Sequence, residues 1–540
     1  MQSASESALG KRTAAEALLS DLPENLTDQQ VQQLLNDADQ LPVESITASN
    51  IRRVVAQFDK KIKKNAEMRI KFDGDPEKFL KSEVDLDEEV KKLEQLSSMP
   101  ELYPEFIQLG GAPMLVGLLS HANTDIAVEV MNVLNELTDP DTVLDASEPQ
   151  AFIDALIACQ LPELSVELLT RIKEDDSDED FQAVSSTLSV IENLCDLQPE
   201  TAISRYFNVP KFIPWLLKRI RSPDKADKID YNRVYSAEIL SIFLQQSREC
   251  REMVGRTEAH LDGVDKLLRC ISAYRKTDPD SSEEEEYVSN LFSCLCSLMM
   301  VSEHQVRFGQ IQGIDLAIRM MKERKFACRL ALRLLNYALQ GCAPNCQVFV
   351  EKAGLKTMFS MFMRKGVKGK RASTEEREDD EHCCACIHSL CRFCTGTETA
   401  RVLNKFTENT FEKLERLLEL HDTYKTRVEE AEERFKTRER DDEELKELEV
   451  DENEQRFLDR CENGLFTLQQ IDLIILRLAN MGNEAVRSRL LALLGVKGIA
   501  TKEVVDVVTE YAQNLGQDAK AEKDELPGLF GALQDQPAQT

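Results

Sequence analysis

A chain of 540 residues is too long for one ordinary globular core, so it must fold as several domains or as a repeat. Hydrophobic residues make up 42% and charged residues 30%, while 21 glycines and 17 prolines are too few for the frequent turns of a β-sandwich or barrel. A formal net charge of −30 excludes strong direct binding to nucleic acid or to an anionic membrane surface unless the charge is locally reversed, and points to basic proteins as partners. No apolar run reaches the length of a membrane-spanning helix, and MQSASESALGKRTAAEALL lacks the apolar stretch of a signal peptide. The fifteen cysteines are therefore expected to be reduced, acting as small hydrophobes.

Residues 1–45 are polar and form a flexible N-terminal segment, with a short amphipathic helix expected around Val31 to Leu35. Over 46–99 a helical cap is expected. Ile51, Val54, Val55, Phe58 and Ile62 share one helical face; Asp73-Gly74-Asp75-Pro76 interrupts it, and a helix follows from Asp87 to Leu96. From residue 100 a longer unit begins. Gly110-Gly111 allows a sharp turn between a short first helix and a second, which carries Leu115, Leu118 and Leu119. Asn123-Thr124-Asp125 then caps a third helix with the stripe Val130, Leu134, Leu137.

Weaker copies follow. Second helices are expected to start near Gly111, Gln160, Asn208, Gly263, Gly313 and Gly354, at intervals of 49, 48, 55, 50 and 41 residues. Each copy ends in an apolar helix: 189–194, 238–244, 293–299, 333–339 and 388–394. One three-helix unit cannot bury its own apolar face, but stacked units can. A period near about 40–47 residues is that of armadillo and HEAT repeats. The chain is thus expected to be all-α, an armadillo/HEAT-type α-solenoid coiled as a right-handed superhelix. It would have about six repeats over 100–395, an N-terminal helical cap and a C-terminal helical region over 396–515. The acidic runs 174–180 and 281–286, and the mixed run 364–381, read as solvated insertions between second and third helices.

Within 410–450 a partial heptad (Leu414, Leu417, His421, Tyr424, Val428, Ala431, Phe435) suggests a short coiled coil, and with it a homodimer through the C-terminal helices. A helix laid against the last repeat fits as well, because His421 and Tyr424 are poor seam residues. Residues 516–540 are expected to be a flexible tail.

AEMRIKF (66–72), PEKF (76–79), HANTD (121–125), NELTDPDT (135–142), WLLKR (215–219), LNKFTEN (403–409) and EYAQNLG (510–516) occur in order along the chain. In this the sequence resembles the β-catenin-like protein 1 family of nuclear armadillo proteins, from about residue 60 to 515. The resemblance implies a nuclear, non-enzymatic component of the spliceosome-associated nineteen complex. That complex acts in pre-mRNA splicing, and the implied partners are splicing factors with basic, nuclear-localisation-like segments. An import adaptor-like receptor is the alternative among binding proteins; a zinc-dependent or regulatory enzyme is the alternative from another class.

Zinc chemistry would have to come from His382, Cys383, Cys384, Cys386, His388, Cys391 and Cys394. These lie on a helix, where Cys383, Ile387, Leu390 and Cys394 share a face that reads as core, so neither metal nor other cofactor is expected. No phosphate-cradling glycine loop and no nucleophile-base pairing stands out. Lys60–Lys64 and Arg364–Arg371 are basic stretches of the kind that an importin or RNA phosphate reads; the first also suits the polar face of an amphipathic helix.

Armadillo solenoids bind extended peptides along the row of third helices, and in importin-α-like members Trp and Asn stand four residues apart there. Laid on this sequence, the Trp-type positions are Asn132, Ser189, Glu238, Ser293, Arg333 and His388. The Asn-type positions are Glu136, Asn193, Ile242, Ser297, Tyr337 and Arg392. No Trp occupies the row, since Trp215 falls on a second helix as expected core, and only Asn193 keeps the clamp. The candidate groove residues are therefore Asn132, Glu136, Ser189, Glu192, Asn193 and Glu238 for a basic segment, with Arg333 and Arg392 suited to an acidic flank.

Overall fold

The computed structural model describes residues 46–144, 149–221, 229–257, 261–365, 373–441 and 452–534. The N-terminal segment 1–45, with its expected helix near Val31 to Leu35, lies outside them, as do 366–372, 442–451 and 535–540. Every regular element among the described residues is helical. Contacts divide the chain into two units, Met1–Lys218 with Asp230–Ile239, and Arg219–Ile229 with Leu240–Thr540.

The N-terminal unit opens on a hairpin of α1 (Ile51–Lys71) and α2 (Pro76–Lys92). Its second helix begins at Pro76, earlier than the expected Asp87, because proline at the first position is already set for the helix and its missing N–H costs nothing there. Ile51, Val54, Val55 and Phe58 are buried as the face pattern implied, while Ile62 is half-buried. Three triplets follow: α3–α5 (Tyr103–Gln108, Gly111–Gly117, Thr124–Leu137), then, after the short α6 (Pro140–Leu144), α7–α9 (Pro149–Ala158, Leu161–Arg171, Asp178–Leu197), and α10–α12 (Pro199–Phe207, Phe212–Ile220, Tyr231–Gln246), of which Arg219–Ile220 and Leu240–Gln246 are counted with the second unit. Helix α2 packs on α5, and α5 on α9. Tyr103 ties first helix to third by donating to Leu137 O at 3.1 Å. Its ring also stacks on Phe152 at 4.1 Å.

In the C-terminal unit the triplets are α13–α15 (Arg248–Val254, Gly263–Ser272, Ser282–Leu298), α16–α18 (Ser302–Gln310, Gly313–Glu323, Ala327–Leu339) and α19–α21 (Ala343–Glu351, Gly354–Phe362, Ser373–Phe393). Helices α22 (Gly396–Asp441), α23 (Glu452–Glu462), α24 (Leu465–Asn480), α25 (Glu484–Lys497) and α26 (Thr501–Asn514) come next, then the short α27 (Lys520–Glu525) and α28 (Gly531–Gln534). The third helices α15, α18 and α21 stack in order, and α24 continues the row against α21. Helices α22 and α24 thus supply a further layer of the stack. Helix α22 is two helices joined at Glu408–Phe411, where Asn409, Thr410 and Phe411 take φ of 52°, 59° and 67°.

The same turn recurs in both units. A residue in the left-handed region (Gly110, Gln160, Gln312, Ala353) precedes the second helix. After Gly110, Gln312 and Ala353 the helix opens on a glycine whose absent Cβ leaves room for a ring of the first helix, whereas after Gln160 it opens on Leu161. A Cβ on Gly111 would stand 2.2 Å from Phe106, one on Gly313 2.3 Å from Phe308, and one on Gly354 2.5 Å from Phe349. The two members of Gly110-Gly111 therefore do different jobs, backbone freedom at the first and close packing at the second.

The acidic runs stand between second and third helices, as expected, and continue into the first turn of the third. Ser177 and Ser281 accept from the backbone N–H of Asp180 and Glu284, and Asp178–Asp180 and Glu283–Glu285 fill the first turns of α9 and α15. Carboxylates there complement the positive end of the helix macrodipole. The heptad stripe of α22 is likewise spent within the chain. Leu414, Leu417, His421, Tyr424, Val428 and Ala431 are buried, with α22 packed on α24 and α25, so the stripe that suggested a coiled coil faces the chain's own helices. The expected flexible tail from 516 does not match 517–534, where Leu526 and Leu533 are buried at 0% and 5% exposure.

Candidate protein-binding surface

In the N-terminal unit the partly exposed side of each third helix carries the expected acidic positions. On α5, Asn132 is half-buried and Glu136 exposed. Asn132 bonds to Glu129, whose carboxyl burial raises above the usual range against the pull of Lys91. On α9, Ser189 and Glu192 are half-buried, and both engage Tyr235 of α12. Its hydroxyl donates to Glu192 Oε2 at 2.5 Å. Burial, with the Glu192 carboxylate, pushes that phenol's pKa up, while Ser189 works the other way. On α12, Glu238 is half-buried and has a partner of its own.

Asn193 corrects the expected clamp. It is 9% exposed, and its Nδ2 donates to Thr138 Oγ1 at 3.3 Å and Asn135 O at 3.4 Å, closing the end of α5. Orphan carbonyls at a helix end claim the amide before any ligand could. The C-terminal unit spends its amides in the same way. Asn345 donates to Ala338 O and Gln305 O, and Gln305 to Tyr337 O and Gln340 O.

The basic positions are also engaged within their own unit. Arg333 donates to Ser293 Oγ at 2.7 Å. Arg392 pairs with Glu522 at 2.6 Å and Glu525 at 3.1 Å, its side chain only 13% exposed, so the acidic flank expected there comes from the chain's own end. Of the remaining ladder positions, Ser297 is buried, Tyr337 is 36% exposed and His388 is 6% exposed; Ser293 and Ile242 are half-buried.

Three residues that spacing could not select complete this region. Arg477 on α24 donates through Nε to His388 Nε2 at 3.1 Å and through Nη1 to Glu525 Oε1 at 2.7 Å. Asn480 and Arg487 donate to the main-chain carbonyls of Leu529 and Ala532. Arg477 inside the largely apolar run IDLIILRLA, which also holds Asp472, was the available signal, since a buried charge must have a partner. Burial, followed by the charges of Arg477 and Arg392, pushes His388 down to about 3.

The cysteine-rich part of α21, Cys383–Cys391, is buried on every side, as is Cys394 just after the helix. Cys383, Cys384, Cys386, Cys391 and Cys394 are at most 7% exposed, and burial drives each thiol's pKa up. Most described lysines and arginines of the two basic stretches are paired. Lys61 and Lys64 share Asp85, and Lys63 meets Asp59; Arg364 holds Glu376 and Asp380. Trp215 lies on a second helix as expected, but half-buried rather than in the core.

The triplet repeat with its stacked third helices is matched by a family model described as catenin-beta-like, Arm-motif containing nuclear, over residues 29–509. The chain belongs to this catenin-beta-like family. Human beta-catenin-like protein 1 is 35% identical over 90% of this chain and 86% of its own length. The fission yeast (Schizosaccharomyces pombe) beta-catenin-like protein 1 homolog is 32% identical over 89% and 81%. A solved structure described as "A conserved phosphorylation switch controls the interaction between cadherin and beta-catenin in vitro and in vivo" superposes with a TM-score of 0.49 at 11% identity, over 94% of this chain and 98% of that one. Family membership and the all-helical repeat together establish an armadillo-type solenoid. The family's description is nuclear, and no described helix is long and apolar enough to cross a membrane.

Proposed function

We propose that this chain is a nuclear, non-enzymatic scaffold of the nineteen complex in pre-mRNA splicing, and that its N-terminal unit binds basic segments of splicing factors. The observation that carries the reading is the placement of Glu136, Glu192 and Glu238 on three third helices of one unit, each at least partly open to solvent. The chain's net charge of −30 supports it. Each charge-assisted contact to a shielded carboxylate contributes about 1.5–3 kcal/mol, and an exposed one about 0–1 kcal/mol. With Asn193 committed to α5, no regular main-chain clamp is available on this ridge, so affinity rests on charge and falls steeply with salt.

Calorimetric titration of a basic splicing-factor peptide against wild type and Glu136→Lys/Glu238→Lys tests the placement. The variant is expected to bind about tenfold more weakly, or roughly 1.4 kcal/mol, with unchanged helicity. Equal affinity in a folded variant would remove the ridge from the reading, and absence of splicing proteins from nuclear pull-downs would remove the scaffold role.

A further inference from the structure

Residues 517–534 of the C-terminal unit are held as a bound peptide is held. Leu515 and Gly516 leave α26 in extended conformation, with ψ of 128° and 174°. Beyond them, α27 buries none of its own side chains. Three kinds of contact fasten the segment. Arg392 and Arg477 grip Glu525 from two helices, while Arg392 and the Tyr511 hydroxyl hold Glu522. Leu526 and Leu533 are buried. Asn480 Nδ2 donates to Leu529 O at 2.8 Å, and Arg487 Nη2 to Ala532 O at 3.0 Å. Side chains that read main-chain carbonyls recognise any chain in the right conformation. Two arginines and two leucine sites add a preference for an acidic, leucine-bearing sequence.

We propose that Arg392, Arg477, Asn480 and Arg487 form a peptide-binding site, that residues 517–534 are its intramolecular ligand, and that an acidic, leucine-bearing segment of a partner protein displaces them. The resident segment is thinly attached. Glu525 keeps 39% of its side chain exposed while paired to Arg477, so exchange can begin at that edge. Tethering gives the resident an effective concentration on the order of millimolar, so a partner must bind well or the grip must first be loosened. This site is independent of the basic-segment reading of the N-terminal unit.

The test uses the full chain carrying Glu522→Lys and Glu525→Lys, with a labelled peptide of the wild-type 517–534 sequence as probe. Amide exchange over 520–533 should quicken in the variant while α21 and α24 stay protected. The probe should bind the variant at least about tenfold more tightly than wild type, whose own segment competes. A probe bearing the same two Glu→Lys changes should bind neither protein. Unchanged exchange over 520–533 would show that the two carboxylates do not hold the segment. Quickened exchange without binding of the probe, or equal binding of the two probes, would show that no acidic-peptide site is there. Each of these overturns the proposal.

Discussion

The third helices of the N-terminal unit and those of the C-terminal unit come from one repeat but treat their charges differently. In the first, Glu192 is met by a phenol, and Glu136 stands at the surface. In the second, Arg392 and Arg477 are enclosed by carboxylates of the same chain. An ionised group can be left at a surface at little cost, whereas one under a covering segment must be neutralised by a partner or lose its charge. The repeat thus sets where a side chain stands, and what covers it sets whether it remains available to a ligand.

Arg477→Ala would break the comparison most severely. It leaves Glu525 with Arg392 alone and removes the donor to His388. A loss of about 2–3 kcal/mol is expected, below the ~3–5 kcal/mol for a fully buried pair because Glu525 is partly exposed. Amide exchange in α21 and α24 should report it while α5 and α9 stay protected; equal loss in both units would refute the local account.

Acid should separate the units next. The unfolded chain protonates His388 near its ordinary 6.5, but the folded chain keeps it neutral down to about 3. Stability present above pH 6.5 is therefore lost as the pH falls, by about 2 kcal/mol at pH 5. His382, held down to about 4 mainly by burial, adds in the same direction. Urea melts monitored through exchange in α21 should show this slope, and His388→Gln should flatten it. A slope unaltered by that substitution would assign the acid loss elsewhere.

Tyr235→Phe removes the donor to Glu192 and probes the N-terminal unit alone. About 0.5–1.5 kcal/mol of stability should go, read as faster exchange in α9. No change would mean that water replaces the phenol.

The smallest effect is expected from Arg333→Gln. Its guanidinium bonds Ser293 in the C-terminal unit, so affinity for a basic peptide should stay within about twofold, under roughly 0.5 kcal/mol. A larger change by calorimetry would place the peptide across the basic positions instead.

The repeat was legible from residue order because its cues are local. Gly111, Gly313 and Gly354 mark second helices through a ring five residues earlier, and Asn123, Ser177 and Ser281 cap third helices within three residues. Candidate sites were legible only as positions. Spacing placed Asn193 and Arg392 on the right helices, but the amide closes a helix end and the guanidinium is covered by Glu522 and Glu525. The inward turn of the α22 stripe and the docking of Leu526 were beyond local reading too. Periodicity requires that an apolar face be buried and a buried charge be paired, and it says nothing of which distant segment does so. Glu525 meets Arg392 across 133 residues, and only packing of the assembled helices brings such partners together.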